Sequence, residues 1–211
     1  GVIATDVTGV GSARHDVAAT GYGEDKAIFG QGSTAVTNLV SSSGVVSTDT
    51  SGVGTARRAL AAARYGGDKA LFGFGTASGS LTAITNLVSN VGVVASDTTG
   101  VGTARYTPAA ASYGTDKAIF AYGYGTGIVS LKNLVNSSGV VAADVTGVGT
   151  ARDRLAAASY GGDKAIFAYG NSGSSVSMSN LVNSSGVVAA DVTGVGTARD
   201  QLAAAGYSIS A

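Results

Sequence analysis

Residues 133–153 read NLVNSSGVVAADVTGVGTARD, and residues 180–200 repeat them letter for letter. Looser copies precede them, so that one phrase of about 47 residues is written four times and then half again. Aligned on GVV or GVI, the copies start at Gly1, Gly44, Gly92, Gly139 and Gly186, with spacings of 43, 48, 47 and 47. Self-similarity at this period marks a tandem array of one supersecondary unit. Residues 1–211 are therefore read as a single repeat domain, and each residue can be judged by its recurrence from copy to copy.

Each copy holds four short segments set apart by glycine: GVVAADVTG, TARxxLAAAxYG, DKAIFxYG and a segment ending in NLV. Four segments of five to eight residues in about 47 is the spacing of a four-stranded propeller blade. TARRALAAARYG at 55–66 also reads as a capped helix, but the third copy puts Pro108 where the helix interior would be, at about 3 kcal/mol. The first copy has Val17 and Thr20, which favour strands. The strand reading is preferred, and the alanine run then suits innermost strands converging on an axis. In Lys69-Ala70-Leu71-Phe72 both faces are apolar, as for a sheet covered on both sides. The Tyr-Gly-Gly-Asp before it has hairpin chemistry. The Phe-to-Asn spacings that follow, 9, 14, 13 and 13, mark a variable and exposed loop.

Composition narrows the function. Apolar residues are 45%, charged residues 12% with net charge zero, and Gly is 33 of 211. A neutral surface argues against a nucleic-acid partner. No apolar run is long enough for membrane insertion by a helix, and without cysteine there is no disulfide or thiolate site. The chain opens without Met and in mid-phrase, as a fragment or processed product would.

Charges recur by position. Asp and Arg stand eight apart at Asp6/Arg14, Asp49/Arg57, Asp97/Arg105, Asp144/Arg152 and Asp191/Arg199, and Asp-Lys pairs fall at 25/26, 68/69, 116/117 and 163/164. They take up 9 of 13 acids and 9 of 13 bases, so the expectation is a set of structural ion pairs. A ligand site recurring between units is the other reading. No catalytic constellation is visible. His15 is the only histidine and occurs in one copy, Glu24 is the only glutamate, and no GxSxG elbow is present. No enzyme activity, cofactor or metal is expected. The ligand-binding candidates are Phe74, Tyr122, Tyr124 and Tyr169, aromatic rings beside the variable loop that suit sugar stacking; for Phe74, Tyr122 and Tyr169 packing at a strand end is the preferred reading. The recurrent Tyr at 22, 65, 113, 160 and 207 reads as core.

With these segments placed, the unit resembles a kelch-type propeller blade. Arg57 precedes the inner-strand Leu60, and Gly73 and Gly75 follow Phe72; the tryptophan of the kelch outer strand is missing. The chain is more similar to the kelch-like DKAIFGYG and TNLVSNTGVVATDTTGVGTAR arrays of phage tail-fibre and related extracellular proteins, and this likeness spans essentially the whole chain. It implies an all-β propeller on a virion surface or extracellular appendage, and no chemistry. Expected partners are a cell-surface glycan, bound weakly and multivalently in adhesion, and other fibre subunits or further copies of the chain. The alternative is a purely structural filament or fibre subunit without ligand. Four complete blades and a half unit leave closure open: a piece of a larger ring, a four-bladed ring with an overlapping hairpin, or a ring completed by another chain.

Overall fold

A computed structural model describes residues 5–206. Gly1, where the first copy starts, and Tyr207 lie outside the described residues. The protein is all-β, with no helix among the described residues. Four three-stranded antiparallel sheets follow one another along the chain: β1 (Ala18–Tyr22), β2 (Lys26–Gly30) and β3 (Thr37–Val40); β4 (Ala61–Tyr65), β5 (Lys69–Gly73) and β8 (Thr85–Val88); β9 (Ala109–Tyr113), β10 (Lys117–Ala121) and β11 (Lys132–Val135); β12 (Ala156–Tyr160), β13 (Lys164–Ala168) and β14 (Ser179–Val182). In the second copy the variable loop adds a two-residue hairpin, β6 (Thr76–Ala77) and β7 (Ser80–Leu81). The alanine run is a strand in all four sheets, paired in the same register with the DKAIF strand. Helix formation is excluded because the run reaches only five residues before the Tyr-Gly turn and can start behind Pro108.

The outer segment departs from the expected fourth strand. GVVAADV touches the NLV strand at two isolated bridges per copy, as at Val40–Val46 with Thr37–Thr50 and Val135–Val141 with Lys132–Val145. Between these bridges β3 takes three steps (37 to 40) and its partner four (46 to 50), so one residue is left over. The aspartate of DVT or DTT falls at this break, where its carboxylate accepts from the asparagine of the NLV strand.

The first strands of successive sheets lie side by side, β1 by β4, β4 by β9 and β9 by β12. The same backbone bonds recur at each joint. The turn glycine of one copy donates to the turn aspartate of the next: Gly23 to Asp68 (2.6 Å), Gly66 to Asp116 (2.7 Å) and Gly114 to Asp163 (2.7 Å). At the other end of the strands Gly32, Gly75, Gly123 and Gly170 donate to the carbonyls of Arg57, Arg105, Arg152 and Arg199 at 2.9–3.0 Å. Among the described residues no hydrogen bond joins the first sheet to the fourth.

Apolar layers fill the three joints. Phe72 with Ile28 and Val88, Phe120 with Leu71 and Val135, and Phe167 with Ile119 and Val182 form their centres. The middle strands of the two inner sheets are buried on both faces. Phe29, their counterpart in the first sheet, is 40% exposed, because its face has no sheet against it. Tyr22, Tyr65 and Tyr113 are core residues, and their rings lie against Gly92, Gly139 and Gly186. A Cβ on those glycines would sit 3.1, 2.9 and 2.8 Å from ring atoms, and their φ values are +85°, +83° and +79°. That double constraint is why every described GVV phrase that meets such a ring begins with glycine.

Candidate functional site

Two of the four aromatic candidates are closed to any ligand. Phe74 is 0% and Tyr122 1% exposed. Both, like Tyr169, stand in the left-handed region (φ 64°, 63° and 62°), which turns the side chain back into the joint with the next copy. Phe74 meets Phe120 edge-on at 5.1 Å, and Tyr122 meets Phe167 at 5.4 Å. Each ring also carries the arginine of the following copy: Arg105 lies 4.0 Å over Phe74, Arg152 4.3 Å over Tyr122 and Arg199 4.1 Å over Tyr169. The Tyr122 and Tyr169 hydroxyls donate to the carbonyls of Val148 and Val195, both at 3.2 Å. Tyr169 is half-buried in the same arrangement. These three rings are packing elements and not a sugar platform; only Tyr124, 37% exposed, remains open.

The repeated charges pair with one another, but the partner differs from the one eight residues away. Arg14 pairs with Asp49 (3.6 Å), Arg105 with Asp144 (3.8 Å) and Arg152 with Asp191 (3.8 Å), so each arginine meets the aspartate of the following phrase. The reason is topological. Arginine precedes the first strand of a sheet, and the aspartate at the outer break closes that same sheet. An asparagine links them. In the third sheet the Arg105 guanidinium donates to Tyr122 O (2.8 Å), Thr103 O (3.1 Å) and Asn133 Oδ1 (2.7 Å). Asn133 Nδ2 donates to Ala142 O (3.0 Å) and Asp144 Oδ1 (2.9 Å). Thr103 donates both its amide (2.8 Å) and its hydroxyl (2.6 Å) to Asp144 Oδ2. The fourth sheet repeats this with Arg152, Asn180, Asp191 and Thr150. The second has Arg57, Asn86, Asp97 and Thr55, and the first Arg14, Asn38, Asp49 and Ser12.

Burial pulls Arg57 and Arg105 down to about 10, so both stay charged at neutral pH. Burial alone would raise Asp97, Asp144 and Asp191, but the threonine and asparagine donors outweigh it and hold them below the usual aspartate value. Asp49 is lowered chiefly by Ser12 and Asn38. Asp6 is exposed. The Asp-Lys pairs sit in the hairpin turns as expected, at 3.0–3.6 Å and half-exposed, where such pairs contribute little.

The first joint lacks one part. Gln31 occupies the place of Phe74 and Tyr122, is fully buried, and leaves its Nε2 without a partner; Arg57 Nε is likewise unpartnered. Gln31→Tyr is expected to raise stability by about 0.5–2 kcal/mol by restoring the ring under Arg57. A urea melt with an unchanged or lower midpoint would contradict this.

A different set of residues forms the open site. The two residues after the invariant TAR or SAR are His15-Asp16, Arg58-Ala59, Tyr106-Thr107, Asp153-Arg154 and Asp200-Gln201. No other place within the long recurring phrase differs so completely between copies. The second member of each pair has φ of 50–55°, and their backbones bond in sequence, Ala59 N to Asp16 O (3.2 Å), Thr107 N to Ala59 O (2.8 Å) and Gln201 N to Arg154 O (3.0 Å). Residues of all five copies thereby line one cavity of about 660 Å³, among them Asp16, Arg58, Tyr106, Thr107, Arg154 and Gln201. In three of the five copies the first member of the pair bridges the start of the variable loop: Arg58 with Thr76, Tyr106 with Tyr124 and Asp153 with Asn171. Tyr106 and Tyr124 rings lie 5.4 Å apart. The two variable parts of the repeat thus meet at one end of the first strands. Sequence reading noted the changes at His15 without seeing their shared location; an internal alignment scored for variability would have found it.

No family model matches the chain, and no curated protein is significantly similar to it.

Proposed function

We propose that the chain is a kelch-like β-propeller acting as a recognition module of a phage tail fibre or another extracellular appendage, and that it binds a surface glycan at the cavity built by the variable pairs. The observation that carries this reading is the concentration of sequence change. Joints, turns and the Arg-Asn-Asp network are held nearly constant, while the variable pairs and Thr76 of one variable loop line one cavity, and Tyr124 of another loop lies beside the lining Tyr106. Concave sites with a few polar groups and an exposed aromatic suit small polar ligands. The side-by-side first strands and the shared lining support the propeller reading. Five unlike pairs make one composite site per module, so multivalency would come from several modules on one fibre.

The test is a multivalent display of the chain on an array of bacterial and host glycans. Reproducible binding, weakened about tenfold or more by Tyr124→Ala (about 1.4 kcal/mol) at unchanged melting temperature, is the expected result. Silence from a folded, β-rich sample would overturn it. The exposed Phe29 on the first sheet and Tyr160 and Leu181 on the fourth favour a second reading, a structural subunit that self-associates through these faces; concentration-dependent assembly in sedimentation, together with a silent array, is its signature.

A further inference from the structure

We infer that the ligand at this cavity is an acidic saccharide whose carboxylate is held by Arg58 and whose sugar face lies against Tyr106 and Tyr124; this rests on the glycan reading above. Of the two arginines that line the cavity, only one has an acid partner. Asp16 has His15 at 3.8 Å, and Arg154 has Asp153 at 3.5 Å. Asp153, 4% exposed, also accepts from Thr107 (3.2 Å), and Asp200 accepts from Asn171 (3.3 Å). Arg58 is exposed, and among the described residues its guanidinium has no carboxylate and no hydrogen-bond acceptor; only its backbone is engaged, by Thr76.

Arg58 also has no part in the repeat's own framework. The equivalent position holds His15, Tyr106, Asp153 and Asp200 in the other copies, whereas the structural arginines stand one residue earlier. A planar guanidinium that is free to use two N–H groups matches a carboxylate. Beside it the cavity offers the Thr76 and Thr107 hydroxyls and the Gln201 amide, the donors and acceptors that ring hydroxyls need. The tilted Tyr106–Tyr124 pair supplies an apolar face on the neighbouring copy. The one lining arginine without an acid partner can take one carboxylate. A doubly charged phosphate would bring a second negative charge near Asp16 with no cation left to meet it.

Carboxylates of this kind come from uronic acids or from sialic acids, and the experiment separates them. The full chain is titrated calorimetrically with tri-galacturonate and with sialyllactose, each against its neutral counterpart, galactotriose and lactose. One acidic sugar is expected to bind about tenfold or more tightly than its neutral partner at low salt. Arg58→Gln should remove that preference, so that acidic and neutral sugars bind alike, Tyr124→Ala should weaken both, and Arg64→Gln, at the far end of the first strands, should change neither. Equal affinity for acidic and neutral sugars overturns the inference and leaves the glycan reading standing. A preference that survives Arg58→Gln also overturns it. Failure of every sugar overturns both this inference and, with a silent array, the function it rests on.

Discussion

Arg105→Met is expected to cost the array about 3–5 kcal/mol, the range for removing one partner of a buried charged network. Methionine keeps much of the stem's volume, so the loss isolates the guanidinium. That group is fully buried and satisfies two backbone carbonyls and Asn133 Oδ1, itself buried. Without it the three acceptors lose their donor inside the protein, and the Phe74 ring loses its cation. The damage falls on the joint between the second and third sheets, because Phe74 belongs to one and Arg105 to the other. In arrays held by nearest-neighbour joints, one weakened joint lets the two sides unfold separately. Urea unfolding should therefore show a lower midpoint and a shallower or split transition. Lys117→Met, in a half-exposed turn pair, serves as the comparison and should move stability by no more than about 0.5 kcal/mol. If the two variants melt alike, the network does not hold the array together.

This result bears on what the sequence could and could not disclose. Strand order, turns and the apolar DKAIF strands were legible because they depend on neighbours in the chain: Pro108 against a helix, Gly-Gly-Asp for a hairpin, Ala and Phe alternating with Leu. The partner of each arginine was not, because it is decided by which segment closes the sheet, and Asp144 reaches Arg105 only after three strands have been laid down. The asparagine of NLV was in plain view, yet its role depends on sitting between those two groups. The outer segment looked like a strand because four short segments in about 47 residues fit a blade, and the extra residue between its bridges was hidden in a phrase of constant length. Packing at a strand end is the preferred reading of Tyr122 and Tyr169, and what the sequence does not show is the left-handed backbone that turns them into the joint. Loop variability was correctly read as accessibility, and what escaped notice was that Tyr106, Asp153 and their equivalents meet the same loops across a bridge. Each of these misses is a long-range contact, and the correct expectations are local.

Stability is expected to be flat near neutrality and to fall as the pH drops through about 4, with the loss carried by Asp97, Asp144 and Asp191. Desolvation raises each of them, but the threonine and asparagine donors win and leave the folded value below the ordinary one. The sign follows from linkage. A carboxylate depressed on folding stabilises the native state above the unfolded value, near 3.9 for aspartate, and that contribution disappears as the folded carboxyl takes up its proton. A protonated Asp144 can no longer accept from Thr103 and Asn133 as an anion, and it no longer compensates the buried guanidinium of Arg105. Because the same quartet recurs in successive sheets, protonation weakens several joints within one narrow pH interval, and acid unfolding should be steeper than one carboxylate could produce. The measurement is the urea midpoint as a function of pH for the wild type and for the triple variant Asp97→Asn, Asp144→Asn, Asp191→Asn. The variant should be less stable at pH 7 and lose less stability than the wild type between about pH 5 and 2, since three of the four quartet carboxylates can no longer titrate and Asp49 alone remains. An unaltered acid limb in the variant would move the titration to the turn aspartates and deny the quartets their role in holding the sheets together.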